Sequence, residues 1–354
     1  MQMYKQKKNL KKIRLHLKKA WVLQITLILT SLFFFTSLHG QGENQNKNQK
    51  KEQSALFERA HSFKQENSEK NKDSLISTYF LSDNLPQQSL VPGGIALIPF
   101  EYAHKESPAS QTNHYSTPEV HFQNNRILSL QTGRDQWLAI VGLPLSLKPG
   151  TQELQIKGAE KITFTVKDKE YESQYITLKN TSQVNPNTDS LTRIHKESKI
   201  MKTVFKSWSI TAPKNLSIAE FPTEGPLSSQ FGLKRFFNNQ ARRPHSGLDI
   251  AASTGTEIKS PLAGKVAAVG NYYFNGNTVL IDHGQGLISM YCHMDSIKVK
   301  QGDNLNANTP IGTVGTTGRS TGPHLHWSMS LNNTRIDPLL FMKSTTEKKT
   351  NSEP

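Results

Sequence analysis

The sequence runs to 354 residues, 35% of them hydrophobic, with a mean hydropathy of −0.56 and a formal net charge of +15. That leaves room for two modest domains, with a polar excess concentrated in tails. The single cysteine, Cys292, excludes an intrachain disulfide, and a positive charge with neither a basic-aromatic stripe nor zinc-finger spacing argues against nucleic acid and for an anionic neighbour, a wall polymer or lipid headgroups.

In chain order, residues 1–40 form an export signal or a membrane anchor: Lys5, Lys7, Lys8, Lys11, Lys12, Arg14, Lys18 and Lys19 precede the uncharged, mostly apolar stretch Trp21 to Leu38. The basic flank predicts that everything after residue 40 lies outside the cytoplasm, in the periplasm or beyond, with attachment to the inner membrane through residues 21–38 if the leader is retained. Residues 41–86 read as a disordered polar tether. Up to residue 75 they are mainly Asn, Gln, Lys, Glu and Ser, too polar to offset the entropy of ordering.

Residues 87–180 carry short β-like runs, Gly94 to Pro99, Ile127 to Leu130, Trp137 to Val141, Glu153 to Ile156, Ile162 to Val166 and Tyr175 to Leu178. Turn signals at Gly133-Arg134-Asp135 and Pro149-Gly150 punctuate them, and this spacing predicts a small antiparallel sandwich. It holds no ionisable cluster with catalytic spacing, so its role is positioning, wall contact or covering a site elsewhere. The period then changes. Over residues 187–210, Leu191, Ile194, Met201, Phe205 and Trp208 share one helical face, with Asp189 or Ser190 as cap, which predicts a helix linking two domains. Strand patterns return over residues 221–342, and residues 343–354 read as a disordered tail. The fold class is therefore mainly β, an antiparallel domain preceded by a small sandwich and a linking helix.

Three segments of the last domain concentrate chemistry: His245-Ser246-Gly247-Leu248-Asp249, Tyr291-Cys292-His293 and His324-Leu325-His326. Four imidazoles and a carboxylate are the side chains zinc prefers when it must stay reactive. On a strand His324 and His326 face one side and Leu325 the other, toward a core. Pro244 and Gly247 make a helix improbable between His245 and Asp249, so a loop running into a strand at Leu248-Asp249-Ile250 is expected. His245, Asp249 and one histidine of the pair supply the three protein ligands of a catalytic zinc ion and leave two imidazoles for proton transfer and oxyanion stabilisation. No H-E-x-x-H carboxylate base occurs, so histidine must do that work. His61, His121, His195 and His283 are read as structural. Cys292 is read as a small buried side chain, since it and His293 would point to opposite faces of a strand.

These residues resemble the lysostaphin-type zinc metallopeptidases, a family of mainly bacterial peptidoglycan endopeptidases. The likeness covers roughly Phe221 to Phe341. It rests on Ser229-Gln230-Phe231-Gly232, the H-x-x-x-D of His245 and Asp249, Gly255-Thr256, Gly264-Lys265-Val266, Tyr291-Cys292-His293, Gly302-Asp303, Gly312 and Gly318-Arg319-Ser320-Thr321-Gly322-Pro323-His324-Leu325-His326. The resemblance implies an antiparallel β fold with a groove holding one zinc ion on His245, Asp249 and His326. It implies catalytic roles for His293 and His324 without metal binding, and peptidoglycan as partner. The basic, aromatic insertion Lys234 to Arg243 is placed at one wall of the groove. Two other readings are weaker. A non-catalytic wall-binding or amidase-activating module would be marked by lost ligands or histidines, and none is lost here. A structural zinc site is generally closed by four protein ligands.

Overall fold

The computed structural model describes residues 84–102, 117–179, 182 and 184–343; the leader, most of the tether and the tail lie outside them. Among the described residues no helix is long and apolar enough to cross a membrane. Eight strands come first: β1 (Ile95–Glu101), β2 (Val120–Phe122), β3 (Asn125–Arg126), β4 (Leu128–Gln131), β5 (Gln136–Gly142), β6 (Gly150–Ile156), β7 (Ile162–Val166) and β8 (Ser173–Ile176). Helix α1 (Thr188–Lys206) follows. The rest is β9 (Leu227–Ser229), β10 (Lys234–Phe237), β11 (Gln240–Ala241), β12 (Leu248–Ala251), β13 (Glu257–Ser260), β14 (Gly264–Tyr272), β15 (Gly276–Gly284), β16 (Leu287–Ile297), β17 (Asn304–Leu305), β18 (Thr309–Val314), β19 (His324–Leu331), β20 (Thr334–Ile336) and a short 3-10 turn over Pro338–Phe341.

The mainly β architecture expected from the sequence is present. Upstream, a three-stranded sheet in the order β1-β5-β4 stacks on a four-stranded sheet in the order β3-β2-β6-β7. Ala96, Ile98, Phe100, Trp137, Ala139 and Val141 fill the space between them together with Val120, Leu154, Ile156 and Val166. The alternate residues Ile95, Leu97, Leu138 and Ile140 point the other way, into the core of the ten-stranded downstream sheet. This is why β1 and β5 are apolar at successive positions instead of alternating: each is buried on both faces.

The large sheet runs β17-β14-β15-β16-β19-β12-β9, with β13, β18 and β20 attached beside it. One face, carrying Leu248, Ile250, Tyr291, Leu325 and Trp327, forms the main core. The other carries Ala268, Leu280, Ile288, Met290 and Cys292, against which α1 lays Val204 and Phe205.

Two expectations are corrected. The run at Tyr175 does not join the sandwich: β8 lies parallel to β10, in the third sheet, β11-β10-β8. Tyr175 stacks on Phe236 at 4.7 Å between centroids, and the Asn238 amide brackets the Leu178 backbone by accepting from its N–H and donating to its carbonyl. Pairing with β10 satisfies the backbone of β8 and seats Tyr175 on Phe236 of the insertion. The helix, too, packs differently. Its cap is Asn187, whose side chain accepts from the Ser190 N–H, and Leu191 is exposed. Only the C-terminal turn is buried; the N-terminal half is held by polar contacts, Arg193 donating to the Asn271 carbonyl and Glu197 accepting from the Tyr273 N–H.

Candidate metal centre

Strand pairing brings the first two ligand candidates together. Asp249 on β12 stands directly opposite His326 on β19, and opposed residues of an antiparallel pair project to the same face. His245 reaches the same point from the preceding loop, where Gly247 lets the backbone run against β19. A Cβ at Gly247 would lie 2.3 Å from the Trp327 carbonyl and 2.9 Å from His326 Cε1. As expected, Leu325 is fully buried in the core behind them.

His245 Nε2, Asp249 Oδ1 and His326 Nδ1 form a triangle with edges of 3.0, 2.7 and 3.0 Å. Proton accounting shows what this triangle wants. His245 Nδ1 donates to the Gln230 carbonyl at 2.6 Å, so its Nε2 turns a lone pair inward. Ser328 Oγ gives its proton to the Ser246 carbonyl and must therefore accept from His326 Nε2, which leaves His326 Nδ1 with an inward lone pair as well. Asp249 Oδ2 is engaged by Arg235 Nη2 at 2.6 Å, leaving Oδ1 for the centre. Three electron-pair donors this close need a positive charge among them. Zinc with bonds of about 2.0–2.2 Å spaces tetrahedral ligand atoms about 3.3–3.6 Å apart, so the triangle suits a single Zn2+ ion after a small expansion. Among the described residues this is the group of His, Cys, Asp or Glu that could hold a metal ion, and all three are buried.

Burial alone would raise the Asp249 carboxyl; the contacts of His245 and His326 and their charges outweigh it and hold it well below the usual carboxylate range. Burial pushes the His326 imidazole down to about 4, in keeping with a neutral ligand.

The two remaining histidines of the motif lie alongside. The ring centroid of His293 is 4.7 Å from that of His324 and 6.2 Å from that of His326, and His324 Nε2 lies 4.0 Å from Asp249 Oδ1. His293 Nδ1 donates to the Thr317 carbonyl and His324 Nδ1 to the Gly322 carbonyl, so each keeps Nε2 unprotonated in its neutral form. Burial, with the neighbouring His324 and His326, pushes His293 down to about 3. His293 has φ of +61°, an unusual conformation for a side-chain-bearing residue, at a point where the pairing of β16 with β15 shifts register. The bulge ends simple alternation along β16. Cys292 is the small buried side chain expected: it lies fully buried under α1, accepts from Asn275 Nδ2, and burial pushes its thiol up to about 12. His283 is structural, bonded to the Ala263 carbonyl and Ser289 Oγ.

Sequence reasoning missed the groups that orient the ligands. Arg235 belongs to the insertion, which folds as a hairpin through Asn238 and Asn239, both at positive φ as a two-residue turn requires. Its basic character was visible, but no local pattern ties one of its cations to Asp249. Arg319, on the loop that also supplies Thr317 and Gly322, has its guanidinium 4.4 Å from the rings of both Phe237 and Phe274. Burial, then the charges of Arg235 and Arg242, push it down to about 10.

Comparison with known proteins places this geometry. Residues 243–338 match the model of Peptidase family M23 and residues 88–169 that of the Peptidase family M23 N-terminal domain. A crystal structure from Pseudomonas aeruginosa, provisionally assigned as peptidase M23, is 38% identical, covers 72% of this chain and 95% of its own, and superposes with a TM-score of 0.57. The chain belongs to peptidase family M23, whose members of this kind are zinc metallopeptidases. Among curated relatives, DD-carboxypeptidase/endopeptidase Mpg of Neisseria meningitidis is 36% identical over 121 residues, 34% of this chain and 28% of that protein. Peptidoglycan DD-endopeptidase ShyA of Vibrio cholerae is 38% identical over 104 residues, 29% and 24% respectively. The chain thus spans about a quarter of the length of these two relatives.

Proposed function

We propose that this protein is a zinc-dependent endopeptidase that hydrolyses peptide bonds in the stems or cross-links of peptidoglycan, with His245, Asp249 and His326 as metal ligands and His293 and His324 as catalytic residues. The observation that carries the reading is the proton arrangement of the five side chains: three lone pairs converge on one point, and two further imidazoles present a free Nε2 beside it. Bound there, zinc supplies Lewis acidity for a scissile carbonyl and a water whose pKa falls to about 7. With the ion in place, Nε2 of one of His293 and His324 would take up the nucleophile's proton and deliver it to the leaving amine, and an Nε2 that carries a proton would hydrogen-bond the developing oxyanion. The fixed Nδ1 bonds keep both rings turned for this work.

The named activities of Mpg and ShyA support a peptidoglycan substrate, and the basic, apolar leader supports action outside the cytoplasm, in the cell envelope. In this reading residues 1–40 export or anchor the enzyme, residues 41–86 tether it, residues 87–180 and 187–210 buttress it, and residues 221–342 carry the chemistry. The test is mass spectrometry of purified sacculi incubated with the protein. Cross-linked muropeptides should shorten, and chelator or His245→Ala should stop the reaction; cleavage that survived both would refute the zinc mechanism.

A further inference from the structure

The three ligands are each held from behind, but not in the same way. His245 leans on the Gln230 carbonyl, which follows β9, and His326 on Ser328 of its own strand. Asp249 is held by a chain that leaves the catalytic sheet altogether. Arg235 Nη2 donates to Asp249 Oδ2 at 2.6 Å while Arg235 Nε donates to Gln174 Oε1 at 3.0 Å. Gln174 Nε2 in turn donates to Ser229 Oγ at 3.0 Å, and Ser229 pairs with Asp249 across β9 and β12. Three side-chain hydrogen bonds and one strand pairing thus link the four residues in a closed circuit. Gln174 sits on β8, upstream of the linking helix, and is brought there because β8 pairs in parallel with β10, aligning Gln174 with Arg235.

Taking as its premise that His245, Asp249 and His326 bind zinc, we propose that Arg235 is a positioning residue that fixes Asp249 as a one-oxygen ligand, and that Gln174 of the upstream segment completes the metal centre by positioning Arg235. The chemistry of the fork supports this. A guanidinium offers Nε and Nη2 in one rigid plane, so it can bind the carboxylate and the Gln174 amide at once; a lysine ammonium is a single point that serves one partner at a time. Occupying Oδ2 keeps Asp249 from turning both oxygens to the ion, which preserves a coordination position for water. The side chains of Arg235 and Asp249 are only 17% and 10% exposed, so water cannot readily replace the contact. The arrangement also gives the upstream strand a function distinct from covering the groove.

The experiment measures metal, not peptide cleavage, so its outcome is separate from that of the proposed activity. Zinc dissociation constants of the full chain are measured by competition with a chromophoric chelator, and the visible absorption of the Co2+-substituted protein reports coordination number. Arg235→Ala is expected to weaken zinc binding about 10- to 100-fold and to lower the cobalt band intensity, the range found when groups behind metal ligands are removed. Gln174→Ala should show the lower end of that loss in the parent background and none in the Arg235→Ala background, a coupling that a general loss of stability would not produce. Arg235→Lys should bind zinc no better than Gln174→Ala. If Arg235→Ala does not fold, Gln174→Ala and Arg235→Lys carry the same test. Zinc affinity within about twofold of the parent, or tighter, together with an unchanged cobalt spectrum in the folded variants, overturns the proposal.

Discussion

His293 and His324 face one another with ring centroids 4.7 Å apart and planes tilted by 45°, and both are held by a single loop: the Thr317 carbonyl takes the Nδ1 proton of one and the Gly322 carbonyl that of the other. Neither ring touches the point where the three ligand atoms converge, yet both lie beside it, with His324 Nε2 4.0 Å from Asp249 Oδ1 and the His293 ring 6.2 Å from that of His326. Replacing either by Ala should lower kcat about 10²- to 10⁴-fold while zinc content, measured by atomic emission, stays at one ion per chain. His326→Ala should instead lose the ion. Full activity without His293 would remove it from the reaction.

Gly247 is the narrowest point of the centre. A methyl group there would press on the Trp327 carbonyl at 2.3 Å, Ser328 Oγ at 2.6 Å and His326 Cε1 at 2.9 Å, two of which orient or form a ligand. Gly247→Ala is expected to cost about 1–3 kcal/mol of stability through overpacking and to weaken zinc binding in the same protein. Urea denaturation and chelator competition read the two effects; unaltered zinc affinity would show that His326 adjusts freely.

The upstream sheet lends one of its faces to the core of the large sheet. Ile140 is fully buried there, and a Cβ at neighbouring Gly142 would meet the Leu331 carbonyl at 2.8 Å. Ile140→Ala should therefore destabilise the whole described region by about 2–5 kcal/mol in a single urea transition. Two separate transitions, with the large sheet's unaffected, would contradict a shared core.

His283 gives stability a pH dependence of predictable sign. Burial depresses its folded-state pKa below the ordinary histidine value of 6.5, so below pH 6.5 the unfolded chain binds a proton that the folded chain refuses. Its contribution is complete above pH 6.5 and is lost as pH falls toward the folded pKa, with a slope of at most about 1.4 kcal/mol per pH unit. His283→Gln should flatten the decline in unfolding free energy between pH 7.5 and pH 5. An equal slope in the variant would mean that His283 is already protonated in the native state.

Much of the centre was legible because its ligands sit in short motifs with strand spacing. The two-residue step from His324 to His326 places both on one face with Leu325 in the core, and Pro244 and Gly247 disfavour a helix between His245 and Asp249. The upstream strands were legible for the same reason, though β1 and β5 carry apolar residues on both faces and so revealed burial without revealing against what. The helix was visible by its period, and Met201 and Phe205 of the expected face do pack on the large sheet; what the period did not show is that Leu191, in the N-terminal half of that face, stays exposed and that this half is held by Arg193 and Glu197.

Residue types and spacing thus determined that this chain gathers histidines and an aspartate suited to zinc, since periodicity along a strand is a local property of the backbone. Only the tertiary structure decided that β8 leaves the sandwich for the insertion, that His293 turns into the site through a bulge, and that Arg235 grips Asp249. Those three outcomes depend on which distant surfaces meet, and a pairing between residues 14 or 61 positions apart, such as Arg235 with Asp249 or with Gln174, leaves no periodic trace in the sequence.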